Sequence, residues 1–291
     1  MLTILNLKSM EPFIVPILGL YLYFIFKSTL KNRKKIAEAR LQREFPGYVQ
    51  INPVPNTSAL DLFLKSHFPF YSRLNQTDKN RFVSRMDIVV RKKYFLGKEG
   101  LEVHDEMILL ICAHLVQITF GFKEFHLPQF ERFVVFPDVF HSRLLNRNVK
   151  GLTVFYSGMV AISWPDAFNG HQIPNDKLNL ILHELAHALY LDYFDSRSKR
   201  YRFSGWREKA LPEFERMQTI QNHPFLRDYA ATNIDEFWAV CVEHFYEAPE
   251  EFCRHLPELY QAMCSILGID PMKLNSEDWG EEYVPLDLPN F

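Results

Sequence analysis

The chain has 291 residues, 47% of them hydrophobic, 15% aromatic and 23% charged, which suits one large domain or two small ones and excludes a chain disordered over most of its length. The formal net charge is −2, but it is unevenly spread: residues 1–45 carry eight Lys/Arg against three Asp/Glu, or +5, leaving −7 for residues 46–291. So acidic a body argues against any nucleic-acid partner.

First along the chain is an uncharged run, PFIVPILGLYLYFIF at 12–26, followed by Lys27, Lys31, Arg33, Lys34 and Lys35. Fifteen residues are fewer than the roughly 20 of a typical spanning helix, although Lys27 can snorkel and Tyr21 and Tyr23 suit an interface. Positive charge after the apolar run, with no small-residue cleavage site, does not fit a secretory signal peptide. The expectation is an N-terminal hydrophobic helix that anchors the chain in the membrane through residues 12–26, a single pass with the body in the cytoplasm by the positive-inside rule. The alternative is a buried or surface-lying helix on a cytoplasmic protein. Cys112, Cys241, Cys253 and Cys264 form no CxxC pair and read as reduced thiols, which agrees with that compartment.

Residues 1–35 are then the anchor and its flank, 36–60 a linker with Pro46, Pro53 and Pro55, and 61–291 the body. The body opens with a helix from about Thr77, carrying Phe82, Met86, Val89 and Val90 on one face. It ends in Arg91-Lys92-Lys93, read as a solvated positive last turn. The run DEMILLICAHLVQITFG, apolar on nearly all sides, predicts a core helix ending at Gly121, with His114 a core residue of no special role. Three strand-like pieces follow: RFVVF at 132–136, LTVFY at 152–156 and MVAISW at 159–164. From Asn175 the pattern is helical again, with loops around Ser196–Ser204 and a last helical stretch after Pro249. The order predicts an α+β fold with a helical half at about 61–130 and a mixed half at about 131–291.

The chemistry lies in ILHELAHALY, residues 181–190, which contains His183-Glu184-x-x-His187. On a helix N-capped by Asn175 or Asp176, histidines four apart share a face and can reach one metal ion, with Glu184 beside them as a proton acceptor for a metal-activated water. Chance alone gives roughly 0.03 such matches in this chain. Polar groups in so apolar a helix are costly without a partner, and a metal supplies one. A catalytic zinc site wants a third protein ligand, for which Asp192, Asp195, His223, Asp228, Glu236, Glu243 and His244 are candidates. Glu236 and Glu243 share a helix face about 10 Å apart along the axis, too far to bind one ion. Glu236 stands near the start of its helix, where it also fits a capping-box partner of Asn233.

The stretches SGMVAISWPDAFNG (157–170), NLILHELAHAL (179–189) and RDYAATNIDEFWAVCVEHFYEAPEEF (227–252) resemble the Mlc titration factor A family of zinc metallopeptidases, whose site is of the gluzincin HExxH…E type. The resemblance covers about Phe70 to Pro271, and the family's active site is similar to that of the catalytic domain of anthrax lethal factor. It implies a zincin-like metallopeptidase domain holding one Zn2+ on His183, His187 and Glu236, with Glu184 as base and Tyr229 assisting the oxyanion. It also implies a peptide or protein substrate and a transcriptional regulator as a possible partner. Two features depart from the family pattern: the hydrophobic leader, and Ala188-Leu189-Tyr190 where the family commonly has Lys-Leu-Asp. The resulting expectation is a membrane-tethered zinc peptidase with MVAISW as the sheet edge that pairs with substrate. The alternative is a zinc-containing protein that sequesters a transcriptional repressor with little or no peptidase activity.

Overall fold

The computed structural model describes residues 43, 46–51, 55–195, 201–220 and 222–274. The chain divides into two units, residues 1–48 and 49–291, and the helices and strands from Thr57 onward all belong to the second. The apolar run 12–26 and its basic flank lie outside the described residues, among which no helix is long and apolar enough to cross a membrane.

Helices come first. α1 spans Thr57–His67 behind Asn56, whose side chain accepts from Ala59 N at 2.9 Å, and the short α2 spans Pro69–Ser72. α3, Gln76–Lys92, begins one residue before the expected Thr77, capped by Asn75, which accepts from Asp78 N at 2.8 Å. Its stripe of Phe82, Met86, Val89 and Val90 is fully buried. α4, Asp105–Ile118, is buried continuously from Met107 onward, as a helix apolar all round must be. It stops at Thr119, whose hydroxyl reaches the carbonyls of Leu115 and Phe125, so Gly121 is not needed to end it.

Lys93, which follows α3, is not solvated. It is 0% exposed, and its ammonium donates to the carbonyls of His126 (2.5 Å), Leu127 (3.0 Å) and Phe130 (2.6 Å). Burial pulls its pKa down to about 8, while the three acceptors satisfy its three protons. The periodicity misses this because the loop it clamps is some 35 residues away in sequence, with Leu127 in the left-handed region (φ 41°). Lys93→Met removes the ammonium from all three carbonyls, of which that of Leu127 keeps the backbone N–H of Phe130 as donor, and is expected to lower unfolding free energy by about 2–4 kcal/mol in a urea titration.

Four strands form one sheet: β1 (Tyr94–Gly97), β2 (Arg132–Phe136), β5 (Gly151–Val154) and β6 (Met159–Ser163), in the order β1-β2-β6-β5. β2 runs parallel to both β1 and β6, whereas β5 is antiparallel to β6, with Gly151 opposite Ile162 and Thr153 opposite Val160. The expected edge is therefore corrected. MVAISW is a central strand, buried from Val160 to Ser163, because a continuous apolar run needs cover on both faces. The edge is the less apolar β5, half-buried throughout, and the last two residues of LTVFY leave it in the 3-10 turn Phe155–Ser157. Two features had no clear sequence signal: the four-residue β1, inside the expected helical half, and a hairpin of β3 (Phe140–Ser142) with β4 (Arg147–Val149) just before the edge strand.

The remaining helices are α5 (Trp164–Gln172), α6 (Leu180–Asp195), α7 (Tyr201–Thr219), α8 (Ile234–Glu247), α9 (Pro249–His255) and α10 (Pro257–Leu267). The result is a mixed fold, mostly helical. α6 is its centre, lying against β5 and β6 and against α4 and α8.

Candidate metal centre

The residues between His183 and Tyr190 place α6 in the core. Leu182, Leu185, Ala186, Ala188 and Leu189 are buried, and the small Ala186 faces α8. Across that contact the indole N–H of Trp238 donates to the Ala186 carbonyl at 2.9 Å. The helix cap is Asn179, not Asn175 or Asp176: its Oδ1 accepts from Leu182 N at 3.1 Å. Asn179 also joins α6 to α8, donating from its backbone N to Glu243 Oε2 (2.8 Å) and from Nδ2 to Glu247 Oε1 (3.0 Å). His114 stays a core residue. Burial and the neighbouring His171 push its pKa down to about 3, and Nδ1 faces the Leu110 carbonyl at 2.9 Å.

α8 begins at Asn233, whose side chain accepts from the backbone N of Asp235 and of Glu236 at 2.9 Å each. A capping box would send the Glu236 carboxylate back toward Asn233. It goes across to α6 instead. Glu236 Oε2 lies 3.0 Å from His183 Nε2 and 3.2 Å from His187 Nε2, and the two Nε2 atoms are 3.2 Å apart.

This triangle fits a metal ion. Donors around a tetrahedral zinc, with bonds of about 2.0–2.1 Å, stand about 3.3–3.4 Å apart, close to the observed spacing. The tautomer fits as well. His183 Nδ1 lies 2.7 Å from Glu243 Oε1 and donates to it, which leaves Nε2 facing the Glu236 carboxylate, where either a proton or a metal ion can stand between the two. Acceptors facing each other at 3.0 Å call for positive charge between them. The electrostatics say the same. Burial opposes charge on His183, but Glu243 and Glu236 outweigh it and push its pKa up to about 10. Burial likewise opposes ionisation of Glu236, yet the two histidines hold it well below the usual carboxylate range. Among the described residues, His183, His187 and Glu236 are the group of such side chains close enough to share one ion.

His223, His244 and Glu243 have different surroundings. His223 Nδ1 accepts from the backbone of Phe225 and Leu226, and Nε2 faces Glu213 at 2.7 Å. His244 faces the carbonyls of Val240 (2.9 Å) and Phe225 (3.3 Å). Glu243 orients His183 and also pairs with the Arg227 guanidinium. The sequence signal for that role is the seven-residue spacing from Glu236, two turns along the same face. Glu243→Gln removes the carboxylate behind His183 and is expected to weaken metal affinity by roughly 10–100-fold, read by competition against a chromogenic chelator.

Glu184 is 5% exposed, and burial raises its pKa. Its Oε2 accepts from the Thr153 hydroxyl at 2.8 Å. Tyr229 stands in the 3-10 turn Asp228–Ala231, 43% exposed, with its ring centroid 5.9 Å from that of His183. Burial of the hydroxyl and the nearby Glu236 carboxylate push its pKa up to about 12, so it stays protonated at neutral pH. All five residues line one cleft of about 730 Å³, whose walls include Arg147, Leu152, Ile173 and Leu178.

The sequence matches the profile of the family described as "Glucose-regulated metallo-peptidase M90" over residues 39–267. An uncharacterized protein of Synechocystis sp., slr2042, is 24% identical over 228 residues, covering 72% of this chain and 83% of that relative. Mlc titration factor A of Cronobacter sakazakii is 23% identical over 247 residues, covering 76% and 88%. Mlc titration factor A of Enterobacter sp. is 25% identical over 240 residues, covering 73% and 87%.

Proposed function

The chain belongs to the M90 metallopeptidase family, the family of Mlc titration factor A, and from that premise we propose that it is a zinc-dependent peptidase. The observation that carries this reading is the triangle of His183 Nε2, His187 Nε2 and Glu236 Oε2, with sides of 3.0–3.2 Å, lining the same cleft as the buried carboxylate of Glu184. His183, His187 and Glu236 would hold the ion. When bound, zinc would supply Lewis-acid polarisation of the scissile carbonyl and bring the pKa of a water near neutrality.

The chain's own residues do the rest. Glu184 accepts the proton of the attacking water, its basicity raised by burial, and hands it on to the leaving amine. Tyr229 donates its O–H to the developing oxyanion. β5 has β6 as its strand partner and presents its other side to an extended peptide, which would add as a further strand. The test is zinc content together with cleavage of a peptide library, with Glu184→Gln as control. A zinc-loaded wild-type protein that cuts nothing in the library would sink the reading.

The relatives' name favours one other reading, a protein whose main task is to bind a transcriptional regulator. The same variant separates the two, because Glu184→Gln abolishes a peptidase's effect and leaves a sequestering protein's intact. We further infer that residues 1–35 tether the peptidase domain, residues 61–291, to the membrane with its cleft in the cytoplasm. Full-length chain is then expected in the membrane pellet after a high-salt wash, and recovery in the supernatant at low salt would remove the tether.

A further inference from the structure

Glu184 sits on α6, but the residues that shape its position are on β5. Thr153 Oγ1 lies 2.8 Å from Glu184 Oε2 and 2.9 Å from the Glu184 carbonyl. An ionised carboxylate only accepts, so the single hydroxyl proton has two acceptors on the same residue, and Oε2 is the charged one. Two residues earlier on the strand, hence on the same face, stands Gly151. A Cβ added there would fall 2.2 Å from Glu184 Oε1, 2.6 Å from Cδ and 2.7 Å from Cγ, so a side chain fits only if Glu184 moves. The backbone does not demand this glycine, since the residues with positive φ do not include it. What Gly151 provides is space, and the three atoms nearest to it all belong to the Glu184 side chain.

We propose that Thr153 and Gly151 are positioning residues for Glu184: the hydroxyl ties one carboxylate oxygen, and the bare glycine leaves the slot that the other occupies. The assignment rests on the reading of Glu184 as the proton acceptor. Pre-aimed catalytic groups matter because a displacement of about 1 Å can cost roughly 10²-fold in rate. The edge strand that offers its free side to a peptide therefore also fixes the base, so substrate and base share one frame.

The experiment compares Thr153→Val, Thr153→Ser and Gly151→Ala in the full-length zinc-loaded protein. Thr153→Val keeps shape and loses the proton. We expect wild-type zinc content, KM within about threefold and kcat lowered roughly tenfold, with serine recovering most of the loss. Gly151→Ala is expected to lower kcat roughly 10²-fold with zinc retained. Crystal structures of the metal-free variants read the same claim without activity: the Glu184 carboxylate moves in Thr153→Val and Gly151→Ala, stays in Thr153→Ser, and His183 and His187 do not shift. A carboxylate unmoved in both variants, or a serine variant as impaired as the valine, overturns the proposal. Should wild-type protein cleave no peptide, the peptidase reading falls, while the carboxylate's position still decides the positioning roles. Should Gly151→Ala fail to fold, the valine and serine pair decides alone.

Discussion

Replacing Glu184 with glutamine is expected to lower peptide hydrolysis by roughly 10³-fold or more while zinc stays bound at the wild-type level. The structure separates Glu184 from the proposed ligand trio in two ways. Its Oε2 is engaged by Thr153, and the mutual contacts of 3.0–3.2 Å are made by His183, His187 and Glu236 without it. Glutamine keeps the shape and accepts the Thr153 hydrogen bond, so the slot beside Gly151 stays filled. What it lacks is the capacity to take a proton. His183→Ala, His187→Ala and Glu236→Gln should instead lose both metal and activity, because each removes or weakens one of three donors. The ligand variants should also lose the thermal stabilisation that added zinc gives the wild type, since binding free energy adds to folding free energy when only the folded state holds the ion. Metal analysis by mass spectrometry, paired with a fluorogenic peptide assay, checks both halves. Full zinc in Glu236→Gln would remove Glu236 from the ligand set. Zinc lost in Glu184→Gln would make Glu184 a structural member of the site instead of its base.

Local spacing is legible in this sequence, and tertiary layering much less so. The 3.6-residue period alone places His183 and His187 on one face, and the burial of α3 follows from Phe82, Met86, Val89 and Val90 in the same way. Glu236 needs more than periodicity, because a glutamate three residues after an asparagine cap serves a capping box equally well, and only the approach of α8 to α6 decides its direction. Sheet order departs from expectation for a physical reason. MVAISW, the most apolar strand, is expected at the edge, but apolarity on both faces marks an interior strand, and the edge falls to the shorter, half-buried GLTV. Lys93 shows the same limit from the opposite side, since its charge is compensated by carbonyls that sequence spacing does not bring near it. Nothing in the sequence marks Thr153 and Gly151 as site residues. An alternation of glycine and threonine in four residues carries no signal until a carboxylate from another element packs against them.

Tyr229→Phe is expected to lower kcat by roughly 10²-fold with KM and zinc content little changed. The competing role for this tyrosine is packing, and its surroundings argue against that. It is 43% exposed in the cleft, whereas Tyr71, Tyr246 and Tyr260 are at most 7% exposed. Its hydroxyl has Glu236 as a hydrogen-bond partner, but the backbone that carries it is held by other groups. The 3-10 turn that carries it is held by Arg227, paired with Glu243, and by the Gln218 side chain, which donates to the Ala231 carbonyl. Removing one oxygen should therefore cost little stability, within about 0.5 kcal/mol, as for other exposed changes. The pKa of about 12 bears on the mechanism too: burial and then Glu236 hold the phenol protonated well past neutral pH. The donor is thus present at neutral pH. The ring also stands near His183, with centroids 5.9 Å apart, and the ring itself is kept in the phenylalanine variant. A defect confined to kcat is then the loss of one hydrogen bond that matters in the transition state. A kcat within threefold of wild type would leave Tyr229 as part of the cleft wall. Loss of zinc would show that its hydroxyl supports Glu236 as a ligand, because that carboxylate is the charged group beside it.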